Sequence, residues 1–392
     1  GTPGPYSIDL ANGTEKEQLK DVLIGEVWIA SGQSNMSMPM EGWTNQPIEG
    51  ALEAILSSRD SHLRFFQVAR ATSGEPATDC EGQWQSSDPS TTSGFSAVAY
   101  FFARTIREAT DLPVGVITSE WGGTPVQPWQ PPELAAPESE WLEKTRVGED
   151  QYKPAFLYNG MIHPLIPYRI RGAIWYQGES NWRSPESYAD LFINMVEGWR
   201  DAWGQGTFPF YFTQIAPFDY KDDNYPGQQD DRPARLREAQ LVASRKLNNA
   251  GMAVTLDIGS KTNIHPPNKH EVGQRLALLA LEHSYGISSL ESNSPEFASM
   301  EIEGDRIRLF FNHNHKGFRR PENGLNQFEI AGADRRFYPA SEVRINRKTV
   351  EIRSDKVPEP VSVRYAWKDW VVGDLISTNG LPVSSFRTDD WD

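Results

Sequence analysis

The apolar runs EVWIAS (26–31), PVGVITSEW (113–121), RGAIWYQG (171–178), FPFYFTQIA (208–216) and GMAVTLDIG (251–259) set the first constraint on the fold. None alternates strictly between apolar and polar positions, which suits strands covered on both faces, as in a parallel sheet between helices. Apolar residues at helical spacing fill the intervals, at 95–110, 184–204, 233–247 and 268–286. The segment 184–204 opens with Ser184-Pro185-Glu186 and closes at Gly204, which are a capping serine, a first-turn proline, an early acid and a glycine stop. Strands alternating with helices predict a doubly wound α/β sheet with a central parallel sheet. Such sheets place ligands beyond the carboxyl ends of their strands.

After Gly286 the texture changes to short alternating pieces such as EIEGDRIRLFF, NQFEIAG, EVRINRKTVEIRS and VSVRYAWK. They predict a small C-terminal antiparallel β region, with NGLNQFEIAG and SEVRINRKTVEIR as hairpin material. At 392 residues the chain exceeds the size at which single cores stop growing, about 250 to 300 residues. The expected division is a remnant of an N-terminal β segment at 1–20, a catalytic α/β domain at 21–286 and a β-rich region at 287–392 packed on it. The opening GTPGPYSIDL begins in what reads as the middle of a strand, so a trimmed or mature fragment is expected.

Composition excludes several classes of partner. With 53 acidic against 38 basic residues the net charge is -15, and a field of that sign opposes nucleic acid and anionic lipid. No window reaches the roughly 18 apolar residues of a membrane span. Cys80 is the only cysteine, so no intramolecular disulfide can form, and its surroundings ATDCEGQWQ hold no activating group. The 13 Trp, 13 Tyr and 18 Phe exceed what a sugar-stacking surface needs, so most of them are core.

Polar loops follow the runs, and each has a plain reading beside a chemical one. Gly32-Gln33-Ser34-Asn35 can present a nucleophilic hydroxyl with its own N–H aimed at an oxyanion, or it can cap a helix. Met36 stands where a Gly-x-Ser-x-Gly elbow needs glycine, which argues against an ordinary α/β-hydrolase. SEWGGTPVQPW (119–129) brings adjacent glycines that let backbone N–H groups approach a ligand, or a simple turn. WYQGESNW (175–182) offers Gly178, Glu179 and Asn181. In TNIHPPNKHEVGQRLA (262–277), two prolines stiffen the loop behind His265, a good mounting for a general base. The remaining histidines, His62, His163, His270, His283, His313 and His315, read as structural or exposed.

Taken together, GEVWIASGQSNM, SEWGGTP, WYQGESN and NIHPPNKHEVGQRLA resemble the SGNH hydrolase superfamily, and within it the sialate O-acetylesterase-like carbohydrate esterases. The resemblance runs from KDVLIGEVWIASGQSNM to RYAWKDW and LPVSSFRTDDW near the C-terminus. It implies a three-layer α/β/α sandwich of SGNH or flavodoxin-like type, no metal and no organic cofactor. It makes Ser34 the nucleophile, His265 the general base, Gly122 (or Gly123) a backbone oxyanion donor and Asn181 a side-chain oxyanion donor placed by Gly178. Gln33, Glu179, Trp121 and Arg183 become candidates for substrate binding, with Trp43, Trp129 and Trp182 nearby, and Phe156, Tyr158 and Asn159 form a further loop. Trp175 and Tyr176 lie within a strand and read as core.

The family usually carries an aspartate three residues before the histidine, and here that position is Thr262, followed by Asn263. The favoured expectation is a Ser34–His265 dyad whose ring is held by a backbone carbonyl, with Asp257 or Glu179 as the alternative orienting acids. The implied substrate is an acetylated carbohydrate, either a xylan-type or other polysaccharide or an acetylated sialic acid. The expected home is periplasmic or extracellular. A non-catalytic carbohydrate-binding protein on the same scaffold is the runner-up.

Overall fold

The computed structural model describes residues 3–136, 148–220 and 231–391. The first two residues of the predicted 1–20 segment lie outside the described residues. Its remainder begins an antiparallel ribbon, β1 (Tyr6–Asn12) and β2 (Glu15–Val22), with nearly every side chain exposed. The central sheet follows, with β3 (Glu26–Gly32), β4 (Asp60–Gln67), β5 (Trp84–Ser87), β6 (Val114–Glu120), β7 (Gly172–Tyr176), β8 (Phe210–Thr213) and β9 (Ala250–Ala253). Its order is β5-β4-β6-β3-β7-β8-β9, parallel throughout except for β5, which runs antiparallel to β4 at the edge.

Each of the apolar runs read from sequence is a strand of this sheet. β4 and β5 escaped that reading for a physical reason. In DSHLRFFQ only Leu63 and Phe65 are buried, and the charged or polar residues between them break up the apolar run. The neighbours of β3 are β6 on one side and β7 on the other, so the strand order reverses there. The loops leaving β3, β6 and β7 therefore converge on one crevice at the carboxyl edge.

The helices are α1 (Ser34–Ser37), α2 (Ala51–Leu56), α3 (Ala97–Thr110), α4 (Tyr188–Trp203), α5 (Arg232–Lys246) and α6 (Lys269–His283). Trp28, Ala30, Ile174 and Tyr176 alternate to the face covered by α3 and α6, where they meet Phe102, Leu276 and Leu279. Ile29, Ala173, Trp175, Phe210 and Phe212 alternate to the face covered by α4 and α5, where they meet Phe192, Trp199 and Leu236. Caps fix the helix ends that frame the crevice. Ser96 Oγ accepts from Ala99 N–H at 3.2 Å and Asn268 Oδ1 from Glu271 N–H at 3.0 Å. α4 ends at Gly204 as predicted, whereas Ser184 precedes the short 3-10 turn Pro185–Ser187 without a side-chain capping bond and does not cap α4.

The C-terminal region holds β10 (Glu296–Glu303), β11 (Arg306–Asn312), β12 (Phe328–Ala331), β13 (Phe337–Pro339), β14 (Glu342–Asn346), β15 (Thr349–Arg353), β16 (Ser362–Tyr365) and β17 (Phe386–Arg387). They form two antiparallel sheets, ordered β10-β11-β15-β14 and β13-β12-β16-β17. SEVRINRKTVEIR is the β14–β15 hairpin. NGLNQFEIAG supplies the first arm of the β12–β13 hairpin, Phe328–Ala331, which also pairs with β16, while Asn323-Gly324 turns back on Pro321. Partly exposed ion pairs lace the first sheet, with Glu342 meeting Arg306 at 3.1 Å and Arg353 at 3.0 Å, and Glu351 meeting Arg308 at 3.0 Å. The region is fastened to α5, where buried Arg237 donates to Ser385 Oγ at 2.9 Å and Arg387 forks onto Glu238 at 3.0 Å.

Gly32 is the tightest point between sheet and site. Its φ is +137°, and a Cβ there would stand 2.2 Å from the Tyr176 carbonyl oxygen. That approach lets the next residue, Gln33, donate its N–H to the same carbonyl at 3.0 Å and lock the turn. Gly32→Ala is therefore expected to cost at least about 1–3 kcal/mol. A thermal melt indistinguishable from that of the parent would contradict the reading.

Candidate active site

Ser34 opens α1 directly beyond β3, half-buried, and its Oγ lies 2.9 Å from His265 Nε2. His265 sits on the loop before α6, where its own N–H donates to Asn263 Oδ1 at 2.9 Å. The other ring nitrogen, Nδ1, lies 2.8 Å from Gln46 Oε1. A carboxamide oxygen can only accept, so Nδ1 carries the proton and the Nε2 lone pair faces the serine hydroxyl. Gln46 is itself pinned. Trp43 and Gln46 exchange backbone hydrogen bonds of 3.0 and 2.8 Å around Asn45, whose φ is +61°. The Trp43 ring then meets the imidazole edge-on, with centroids 4.9 Å apart. One short turn thus holds the imidazole by its face and by its Nδ1–H.

The structure corrects the expectation about what steadies His265: the acceptor is the side chain of Gln46, not a backbone carbonyl. Asp257 is bound bidentately to Arg275 at 2.7 Å for both oxygens, and Glu179 points inward to Asn35. Thr262 is exposed. Gln46 had no signal in the sequence, because it stands 219 residues from His265 and glutamine belongs to no triad pattern.

On the opposite side of Ser34 lies Gly122. A Cβ on it would stand 3.3 Å from the Ser34 Cβ, so glycine is what lets this loop come so close. Gly123 is exposed, with φ +78°. Asn181 takes a different place from the one expected. Its Oδ1 accepts from Val126 N–H at 3.0 Å and from Gln177 Nε2 at 2.7 Å, and its Nδ2 donates to Gln127 Oε1 at 3.1 Å. Oδ1 and one of the two Nδ2 hydrogens tie down the loop that carries Gly122, so Asn181 fastens that loop from inside.

The expected substrate contacts divide. Gln33 and Glu179 are buried and used internally, Gln33 Oε1 accepting from Ser180 N–H at 3.1 Å, so neither lines an open surface. Trp121 is half-buried under the Arg70 guanidinium at 5.6 Å. Trp182 is half-buried between Arg183 at 4.7 Å and the Tyr220 ring at 5.1 Å. Trp129, Trp175 and Tyr176 are core. Tyr158 and Asn159 are also buried, and Asn159 Nδ2 donates to Ser73 O at 3.1 Å rather than serving the crevice. Phe156 lies beside them, half-buried under the Lys153 ammonium at 5.2 Å.

Burial, and then the charge of Lys269, push the His265 imidazole down to about 4. Burial pulls the Lys269 ammonium down to about 7 against the opposing pull of Glu179. Burial raises the Glu179 carboxyl above the ordinary range. The consequence is a histidine that is unprotonated, and so able to accept a proton, throughout the neutral range.

A serine hydroxyl aimed at an unprotonated imidazole, beside a glycine backbone at the carboxyl edge of a parallel sheet, defines an ester hydrolase of the serine type. A family model described as carbohydrate esterase, sialic acid-specific acetylesterase matches residues 24–282, and the chain belongs to that family. It is similar to the sialate O-acetylesterases of Pongo abelii (28% identical over 402 residues) and Homo sapiens (27% over 400), with 94% of this chain and 75% of each relative covered. The solved structure of a carbohydrate acetylesterase from Xanthomonas citri is 36% identical, with a TM-score of 0.89 over 99% of this chain and 86% of that one. The chain is a carbohydrate O-acetylesterase.

The geometry yields three expectations. The acid limb of kcat/KM falls near pH 4 instead of the ordinary histidine value, because imidazolium cannot take the serine proton, and a pH profile reads this directly. Gln46→Glu places a carboxylate against Nδ1–H, favours the charged ring and moves that limb up by about 1–3 pH units; Gln46→Ala lowers kcat/KM about tenfold, the loss of one hydrogen bond. Asn181→Ala lowers the melting temperature together with turnover, whereas a direct oxyanion donor would lose about 10²–10³ in kcat with the melt unmoved.

Proposed function

We propose that the enzyme removes O-acetyl groups from sugar hydroxyls by double displacement through an acetyl-serine intermediate. His265 Nε2 takes the Ser34 proton as Oγ bonds to the acetyl carbon. The carbonyl π pair moves onto oxygen, which is held by the backbone N–H groups of Ser34 and Gly122. Ser34 is the first residue of α1, where an N–H has no partner within the helix. Collapse expels the sugar oxygen with the proton returned from His265. Water, deprotonated by the same nitrogen, then adds to the acetyl carbon, and collapse breaks the bond to Ser34 Oγ, which takes the proton back from His265 as acetate leaves.

The observation that carries this reading is the 2.9 Å contact between Ser34 Oγ and His265 Nε2, with Nδ1 already committed to Gln46. Gln46 offers a dipole instead of a charge, so it supports the imidazolium less than a carboxylate would. Ester cleavage tolerates that weaker support better than amide cleavage, and acetyl esters are the expected substrates with little action on peptides. Names of the similar proteins point to O-acetyl sialate and to acetylated carbohydrate more broadly. The anionic chain favours a neutral acetylated polysaccharide of xylan type over sialate. We read the sheet with a helical layer on each face as a three-layer α/β/α sandwich, the residues after 286 as its packing domain, and the site of action as periplasmic or extracellular, where polymeric substrate is found.

Acetate release measured on acetylated xylan, acetylated monosaccharides and O-acetyl sialic acid, with Ser34→Ala as the blank, tests the proposal. Ser34→Ala should lose at least about 10³-fold of the turnover. Unchanged acetate release by that variant would overturn the mechanism.

A further inference from the structure

Asn35 stands beside the nucleophile on α1, wholly buried, and its carboxamide joins separate parts of the site. Its Nδ2 donates to Glu179 Oε1, in the turn after β7, and to the backbone oxygen of Ile264 at 3.0 Å. Its Oδ1 accepts from Lys269 Nζ, at the start of α6, at 2.5 Å. Ile264 immediately precedes His265 and Asn35 immediately follows Ser34, so a single 3.0 Å bond spans the two loops whose side chains must meet. The charges on either side match the amide: its N–H groups face the carboxylate and its oxygen faces the ammonium. Only a carboxamide of this length can donate to the one and accept from the other. An aspartate there would turn a second negative group toward Glu179 and toward the Ile264 oxygen.

Glu179 and Lys269 are themselves both buried, at 4% and 0% exposure. A buried pair of opposite charges is weak evidence for stability, since desolvation offsets much of the attraction. Its placement at the reaction centre suggests a role in the chemistry. The ammonium lies at 5.6 Å over the Tyr176 ring on β7. The other titratable groups that bear on this cluster are the Tyr176, Tyr188 and Tyr220 hydroxyls, with Arg237 of α5 and Asp369 behind Tyr220. On α6 itself, His270 packs against Phe101 and Glu271 pairs with Arg275, which also holds Asp257.

We propose that Asn35 is a positioning residue of the reaction, holding Ser34 and His265 in register, with buried Glu179 and Lys269 as its anchors. Lys269 adds to the burial that opposes protonation of His265. The proposal rests on the reading of Ser34 and His265 as nucleophile and base. It assigns Glu179 an interior role in place of substrate binding. It also gives the Gly-Glu-Ser-Asn turn a function that does not depend on which sugar is bound.

Two variants test it, with acetate release from an acetylated monosaccharide as the assay. Asn35→Asp keeps the size and the acceptor for Lys269 but loses both donated bonds. In the folded variant kcat should fall about 100-fold or more while KM stays within threefold. The double variant Glu179→Gln/Lys269→Met keeps Asn35 and an acceptor for it while removing both charges, so the acid limb of kcat/KM should rise above its place near pH 4, while burial, the larger cause, holds it below the ordinary histidine value. A kcat for Asn35→Asp within threefold of the parent, or an acid limb unmoved in the folded double variant, would overturn the proposal. If Asn35→Asp does not fold, the double variant decides alone. Ser34→Ala separates the two levels: full activity there sinks the nucleophile assignment itself, whereas an inactive Ser34→Ala beside normal Asn35→Asp and double variants sinks only the positioning role.

Discussion

The hydrogen bond from His265 Nδ1 to the Gln46 amide oxygen, 2.8 Å long, is the constraint on which the rest of the site turns. It fixes which nitrogen faces Ser34, and it does so without charge. A triad carboxylate performs two tasks together, orienting the ring and stabilising its protonated form. Gln46 performs only the first. The second is left unsupported, since burial and Lys269 both oppose protonation of the ring. The site therefore suits a reaction whose leaving group asks little of the acid, and an acetyl ester of a sugar hydroxyl is such a substrate.

Carboxamides recur beneath the crevice. Gln33 ties the turn after β3 to the turn after β7, and Asn181 ties the turn after β7 to the loop after β6. Gln177 Nε2 reaches Thr124 O at 3.2 Å, and Gln240 of α5 bridges Gln177 O and Ile215 N at 3.2 and 2.9 Å. An amide side chain offers a donor and an acceptor on one rigid plane, so each can join two backbone segments that lack partners of their own. Strand ends in a parallel sheet leave such segments in the crevice where the ligand binds. Buried polar groups of this kind must be satisfied, and here they satisfy one another.

The sheet was legible because β3, β6, β7, β8 and β9 are mostly apolar on both faces. β4 was not, since the partly buried polar residues Asp60, His62 and Arg64 interrupt its apolar pattern and leave only Leu63 and Phe65 fully buried. Ser34, Gly122, Asn181 and His265 could be placed in one site by their positions at strand ends and by family resemblance, and the structure brings Ser34, Gly122 and His265 together. Roles were harder to read than places. Family resemblance points Asn181 and Glu179 at the ligand, yet both side chains bond inward, because sequence shows which loop a residue belongs to and not which way its rotamer points. Gln46 was invisible for a related reason: its contact is set by the turn it shares with Trp43, not by any spacing to His265.

The amide floor of the crevice also divides the molecule by its response to ionic strength. Hydrogen bonds between neutral groups are untouched by counterions, whereas partly exposed charge pairs weaken as the Debye length shortens from about 10 Å at 0.1 M to about 3 Å at 1 M salt. The ties of Gln33, Gln46, Gln177 and Asn181 belong to the first kind. The Arg–Glu pairs across β11, β14 and β15 belong to the second. Brine would loosen the C-terminal sheet while leaving the catalytic crevice as it stands, so the enzyme's working part is built for media in which its appendage is the first to yield.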